Sequence, residues 1–209
     1  MKLSNAYSGV SKVFASEILN ILSTLVMFAA TLYAVTLSDD IKIDTNPVQV
    51  FTLFGLTVAS SLFGIIAFIV QLVGLNQARR DEKLFKKAMY FVVICALCTI
   101  ALTFSRGMFG RICAGIDEIS TLLIHVFIII GIFAIADRLE NTSMQKSGKI
   151  ILLFVSIMFI AAFFLQIASS IAPEYLENFA FVSTILEFAG YVLGTVYVGM
   201  AKKMLTPYR

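Results

Sequence analysis

Residues 179–200 read FAFVSTILEFAGYVLGTVYVGM, an apolar run from Phe179 to Met200 with one carboxylate, Glu187, inside it. About 20 such residues, rising ~1.5 Å each, cross the ~30 Å hydrocarbon core of a bilayer, and Glu187 falls roughly 12 Å from the Phe179 end. An ionised carboxylate facing lipid at that depth costs at least ~2.5 kcal/mol. The side chain is therefore expected to face other helices or water, or to carry a proton. Ser183, Glu187, Gly190, Gly194 and Ala201 recur at helical spacing and share one face, away from Phe181, Leu186 and Val192. Gly190 and Gly194 form a G-x-x-x-G pair, which lets a neighbouring helix approach closely.

The rest of the chain is built the same way. Of 209 residues, 59% are hydrophobic and only 14% charged, too few to cover a soluble domain of this size. The formal charge is +3, and the basic residues sit in short connectors, so no nucleic-acid surface is implied. Three cysteines, Cys95, Cys98 and Cys113, cannot all pair within the chain. The one histidine, His125, excludes a multi-histidine metal site, and neither a metal nor another cofactor is expected.

Six apolar runs predict an all-α fold, a polytopic transmembrane bundle of three consecutive hairpins forming a single transmembrane domain over 1–209. The expected helices cover about 13–38, 48–77, 86–105, 118–137, 149–171 and 178–203. Residues 1–16 read as a polar, mildly basic lead. The first apolar run exceeds the h-region of a signal peptide and reads as a retained helix. On the second, Thr57, Ser60, Gly64, Ala67, Gln71, Gly74 and Ala78 make a small and polar stripe suited to close packing. Residues 106–117 read as a glycine-containing outer loop. Asp117 and Glu118 then sit at the positive end of the fourth helix dipole. With both termini inside, the inner segments hold 13 of the 16 basic residues and the outer loops only Lys42, Arg106 and Arg111. That asymmetry predicts that both termini lie on the inner, cytoplasmic side of the membrane.

The segment from Tyr7 to Leu19, YSGVSKVFASEIL, and that from Gly74 to Ala88, GLNQARRDEKLFKKA, resemble segments of small uncharacterised six-helix membrane proteins of clostridia-type bacteria. The resemblance implies a bacterial plasma membrane and a repeated helix-start pattern. It carries no site residue.

The candidate solute- or ion-binding group is Glu187 with His125, Gln166 and Tyr191; His125 is the expected partner because it lies roughly 9 Å in from the same outer side. Glu17, Asn20 and Gln71 form a candidate inner polar mouth. Glu17 itself reads as a charge near a helix end that snorkels or pairs with Lys202 or Lys203. Arg106 and Arg111 on the outer loop are suited to an anionic solute, or are simply solvated. Cys95 and Cys98 make a C-x-x-C near mid-membrane, where cysteine commonly behaves as a small hydrophobe. H-E-x-x-H, G-x-S-x-G and phosphate-binding glycine loops are absent from the sequence, and no enzyme is expected. Two functions remain. One is binding or transport of a small solute or ion through the bundle. The other is a structural or regulatory subunit that docks a membrane partner, or a second copy, through helices two and six.

Overall fold

With no water to satisfy backbone groups in hydrocarbon, apolar runs of this length form helices, because a helix pairs every N–H and C=O within itself. The computed structural model describes residues 3–37, 47–104, 107–171 and 176–209. It contains α1 (Ser4–Leu37), α2 (Pro47–Ala78), α3 (Leu84–Phe104), α4 (Gly107–Arg138), α5 (Thr142–Ile171) and α6 (Leu176–Leu205), followed by a 3-10 turn, Thr206–Tyr208. All six helices are long and apolar enough to cross a membrane, and there is no strand among the described residues. The chain is a multi-pass helical membrane protein. Packing is heaviest within the pairs α1/α2, α3/α4 and α5/α6, the three expected hairpins. Contacts of α4 with α5 and of α1 with α6 close the bundle, while α2 touches α3 far less.

The first correction concerns the amino-terminal lead. Residues 4–16 are the opening turns of α1, and Leu3, Ala6, Val10 and Val13 are fully buried. Two features account for this. Asp81, in the turn after α2, accepts the Ala6 N–H at 2.7 Å and the Asn5 amide at 3.2 Å. Its negative charge thereby caps the positive end of α1. Gly9 of α1 and Gly74 of α2 then let the backbones nearly touch: a Cβ on Gly9 would lie 2.5 Å from the Gly74 carbonyl oxygen. The stripe expected on the second helix is thus used against α1.

The second correction is the outer loop, which is helical: α4 begins at Gly107. Each interior glycine costs a helix about 1 kcal/mol, but an unpaired backbone group in hydrocarbon costs several, so the helical form wins across an otherwise apolar segment. Arg111 therefore projects from a helix turn, exposed, and Asp117 and Glu118 lie well inside α4. Arg106 lies outside the described residues. The connector before α5 also shortens, because Asn141 Oδ1 accepts the Met144 N–H at 3.0 Å and starts that helix at Thr142.

The core sits at the end where the basic residues gather. Leu3, Leu75, Phe85, Ile132, Ile135, Tyr197 and Leu205 are at most 2% exposed there. Polar bonds tie the same rim together. Arg138 meets Glu82 at 2.5 Å and the Asp81 carbonyl at 3.0 Å, Lys12 donates to Gln77 at 2.8 Å, and the Leu3 N–H reaches the Tyr208 carbonyl at 2.9 Å.

Candidate functional site: a polar cleft between two hairpins

Beyond the rim, the α1/α2 hairpin and the α3/α4 hairpin part and enclose a cleft of about 600 Å³. Its walls carry Asn20, Ser23, Thr24 and Ser61 on one hairpin and Cys95, Thr99 and Thr121 on the other. Phe68, Val92, Ile100 and Ile124 supply apolar surface, and Gln71, His125 and Tyr191 line the deepest part. The hydroxyls arise from simple helical spacing. Ser23 and Ser60 bond across α1 and α2 at 3.1 Å, and Cys95 Sγ and Thr121 Oγ1 approach to 3.7 Å across α3 and α4.

Behind Gln71 and His125, and outside the lining itself, is Glu17, 1% exposed. The expectation that it lies near a helix end and snorkels fails because α1 starts at Ser4. That places Glu17 roughly 20 Å along the helix from its first residue. Neither lysine expected for it is its partner: Lys202 lies over the Phe14 ring at 5.3 Å and Lys203 is exposed, whereas Glu17 is buried. Glu17 Oε1 accepts the Gln71 amide at 3.1 Å, and Oε2 faces His125 Nε2 at 3.6 Å. Neither Oε2 nor Nε2 has a hydrogen-bond partner among the described residues.

His125 is held on every side. Its Nδ1 lies 2.9 Å from the Thr121 carbonyl, one turn back on α4. A carbonyl only accepts, so Nδ1 carries the hydrogen and Nε2 is the nitrogen that gains or loses a proton. The ring stacks on Phe159 of α5 at 5.1 Å and meets the edge of Tyr191 of α6 at 4.8 Å. Here the G-x-x-x-G pair finds its use. A Cβ on Gly190 would lie 2.9 Å from the Phe159 ring and one on Gly194 3.2 Å from the His125 ring. These glycines seat two aromatic rings, so the small-residue face of α6 is occupied by α4 and α5 of the same chain.

The energetics of the pair are finely balanced. Opposite charges 3.6 Å apart attract by about 4–5 kcal/mol at an effective dielectric of ~20, while burying each ion costs several kcal/mol. The Gln71 hydrogen bond adds about 1.5–3 kcal/mol for a charged acceptor.

The expected groups are redistributed accordingly. His125 and Tyr191 do come together, but the carboxylate they meet is Glu17, with Gln71 and Asn20 on the same cleft. Glu187 is half-buried outside the cleft lining and accepts from Ser183 at 3.1 Å, while Ser183 also reaches the Ala162 carbonyl of α5 at 3.4 Å. The side chain of Gln166 lies outside the described residues. Cys95 is a lining residue, whereas Cys98 is buried. Thr99, Thr121 and Phe159 were missed. The pairs Cys95/Thr99 and Thr121/His125, four residues apart, were the available signal, since such pairs share a helix face. Comparison with protein-family models, with curated proteins and with solved structures finds no match.

Proposed function

We propose that this chain binds a small solute or ion within the bilayer, and passes it through the bundle, by way of the cleft between its first two hairpins. One observation carries the reading: a cleft of about 600 Å³, largely apolar with hydroxyls on both walls, reaches the imidazole of His125, behind which lies the buried Glu17 carboxylate, and the facing atoms of the two lack hydrogen-bond partners among the described residues. Buried polar atoms are normally satisfied, and ionisable groups inside a membrane are by default functional. The volume falls within the ~300–1,000 Å³ range of small-molecule sites. The charge asymmetry of the connectors favours a cytoplasmic basic rim, with the cleft facing away from it, and the resemblance of two segments to clostridia-type membrane proteins favours a bacterial plasma membrane.

The alternative, a structural or regulatory subunit, rested on the small-residue faces of helices two and six. Those faces pack on α1, and on α4 and α5, of the same chain. A partner would have to use the outward apolar surfaces instead.

The two readings differ in whether water reaches the cleft. In a Cys98→Ala/Cys113→Ala background, a water-soluble methanethiosulfonate reagent should modify Cys95, and replacing Ala96 by Phe should slow that reaction at least about tenfold by filling the cleft. Cys95 that stays unmodified in folded protein even at alkaline pH, where more of the thiol is ionised, would mark a dry seam and leave the scaffold reading standing.

A further inference from the structure

Resting on that reading, we infer that the solute is an organic cation and that it enters in exchange for the proton held between Glu17 and His125. The geometry of the apex makes that proton necessary. Because Nδ1 of His125 donates to the Thr121 carbonyl, a neutral ring with an ionised Glu17 would set two lone pairs against each other, Nε2 and Oε2, 3.6 Å apart and buried. One proton on either atom removes the conflict and leaves the pair with no net charge. Losing it leaves one uncompensated negative charge beside the cleft, and a cation there restores neutrality. The exchange balances: the nitrogen–hydrogen or oxygen–hydrogen bond breaks, one proton leaves to water, one positive charge arrives, and no covalent bond forms to the solute.

The walls select the sign and the kind of cation. Among the lining residues there is no lysine or arginine, while Asn20, Ser23, Thr24, Ser61, Thr99 and Thr121 offer oxygen acceptors. The other groups near the pair are neutral or acidic. The Gln71 amide faces Glu17 from α2. On the far wall stand Cys95 of α3 and Asp117 of α4, the latter 3.5 Å from the Thr99 hydroxyl. Tyr191 of α6 meets the His125 ring and lies within electrostatic reach of Glu118 and Glu187, and α5 contributes the uncharged Phe159. Apolar surface from Ile65, Phe68, Val92 and Ile100 and the ring of Tyr191 suits a hydrocarbon or aromatic body, and the volume exceeds what a bare ion fills.

The test is titration calorimetry on the full chain in lipid nanodiscs, with benzyltrimethylammonium, benzyl alcohol and benzenesulfonate as probes. Repeating each titration in two buffers of different ionisation enthalpy counts the protons released. Benzyltrimethylammonium should bind, release about one proton per cation at mildly acidic pH, and tighten at least about tenfold at mildly alkaline pH, where the competing proton is scarcer. Glu17→Gln should abolish the proton release and weaken the cation at least about tenfold. Rescue by Glu17→Asp should restore both in part. The wild-type measurement stands even if a variant does not fold. Preference for benzyl alcohol or benzenesulfonate, or cation binding without proton release, overturns the exchange while leaving a solute cleft in place. Failure of all three probes to bind overturns the exchange, whereas the solute reading fails only with an unmodifiable Cys95.

Discussion

The two ends of this bundle follow different packing rules. At the basic rim the helices approach until backbone meets backbone, as at Gly9 and Gly74, and large side chains such as Phe85 and Tyr197 are fully enclosed. Toward the other end, the described helices turn large apolar side chains outward: Phe51 is 74% exposed, Met108 79% and Phe104 84%. In water such a surface would aggregate, but in a bilayer it faces acyl chains. The contrast explains where the cleft lies. A rim held by glycine contacts, caps and ion pairs fixes the helices at one end. The hairpins part beyond it, and the polar apex sits where close packing stops.

That contrast is broken most directly at the glycine crossing. Gly9→Leu places a side chain against the Gly74 carbonyl and the Ala78 backbone, neither of which is the flexible end of a side chain. The expected outcome is a chain that does not reach the folded state, read as loss of the monodisperse peak in detergent chromatography. Phe85→Ala removes a ring that packs on Gly131 and is fully buried. Its expected cost is about 3–5 kcal/mol, measured by reversible unfolding in mixed micelles. Asp81→Ala uncaps α1 and should cost about 1–2 kcal/mol in the same assay, with faster amide exchange confined to the first turns of α1. Phe104→Ala, on the same helix as Phe85 but at the open end, should change stability by no more than about 0.5 kcal/mol. Equal effects of the two phenylalanine substitutions would erase the distinction between the ends.

The candidate site was legible in its parts and not in its grouping. The rings of His125 and Tyr191 meet, and Gln71 bonds Glu17, but Glu17 is buried at the closed end of the cleft instead of forming an inner mouth with Asn20 and Gln71. Joining those two pairs into one apex needed the length of α1. With a helix beginning near residue 13, Glu17 is a terminal charge that reaches water. Beginning at Ser4 it is deep in the bundle, where, among the described residues, its carboxylate meets Gln71 and His125. The extra turns depend on Asp81, 75 residues away from Ala6 in sequence, and local pattern does not report a cap that arrives from the far end of the partner helix.

Glu187 shows the converse. Its small-residue face packs within the bundle, yet a shared face does not name the neighbour that covers it. Gly190 and Gly194 on that face receive the rings of Phe159 and His125, and the carboxylate itself turns to Ser183 outside the cleft.

Hydropathy and charge along the chain were enough to determine six membrane-long helices, their hairpin order and the end at which basic residues gather, because each depends on the composition of a contiguous segment. Which carboxylate meets the imidazole, which glycines receive rings and which hairpins part to make a cleft were decided only in three dimensions. Those outcomes depend on the rotation and depth of helices relative to one another. A helical period of about 3.6 residues defines a face without saying what lies opposite.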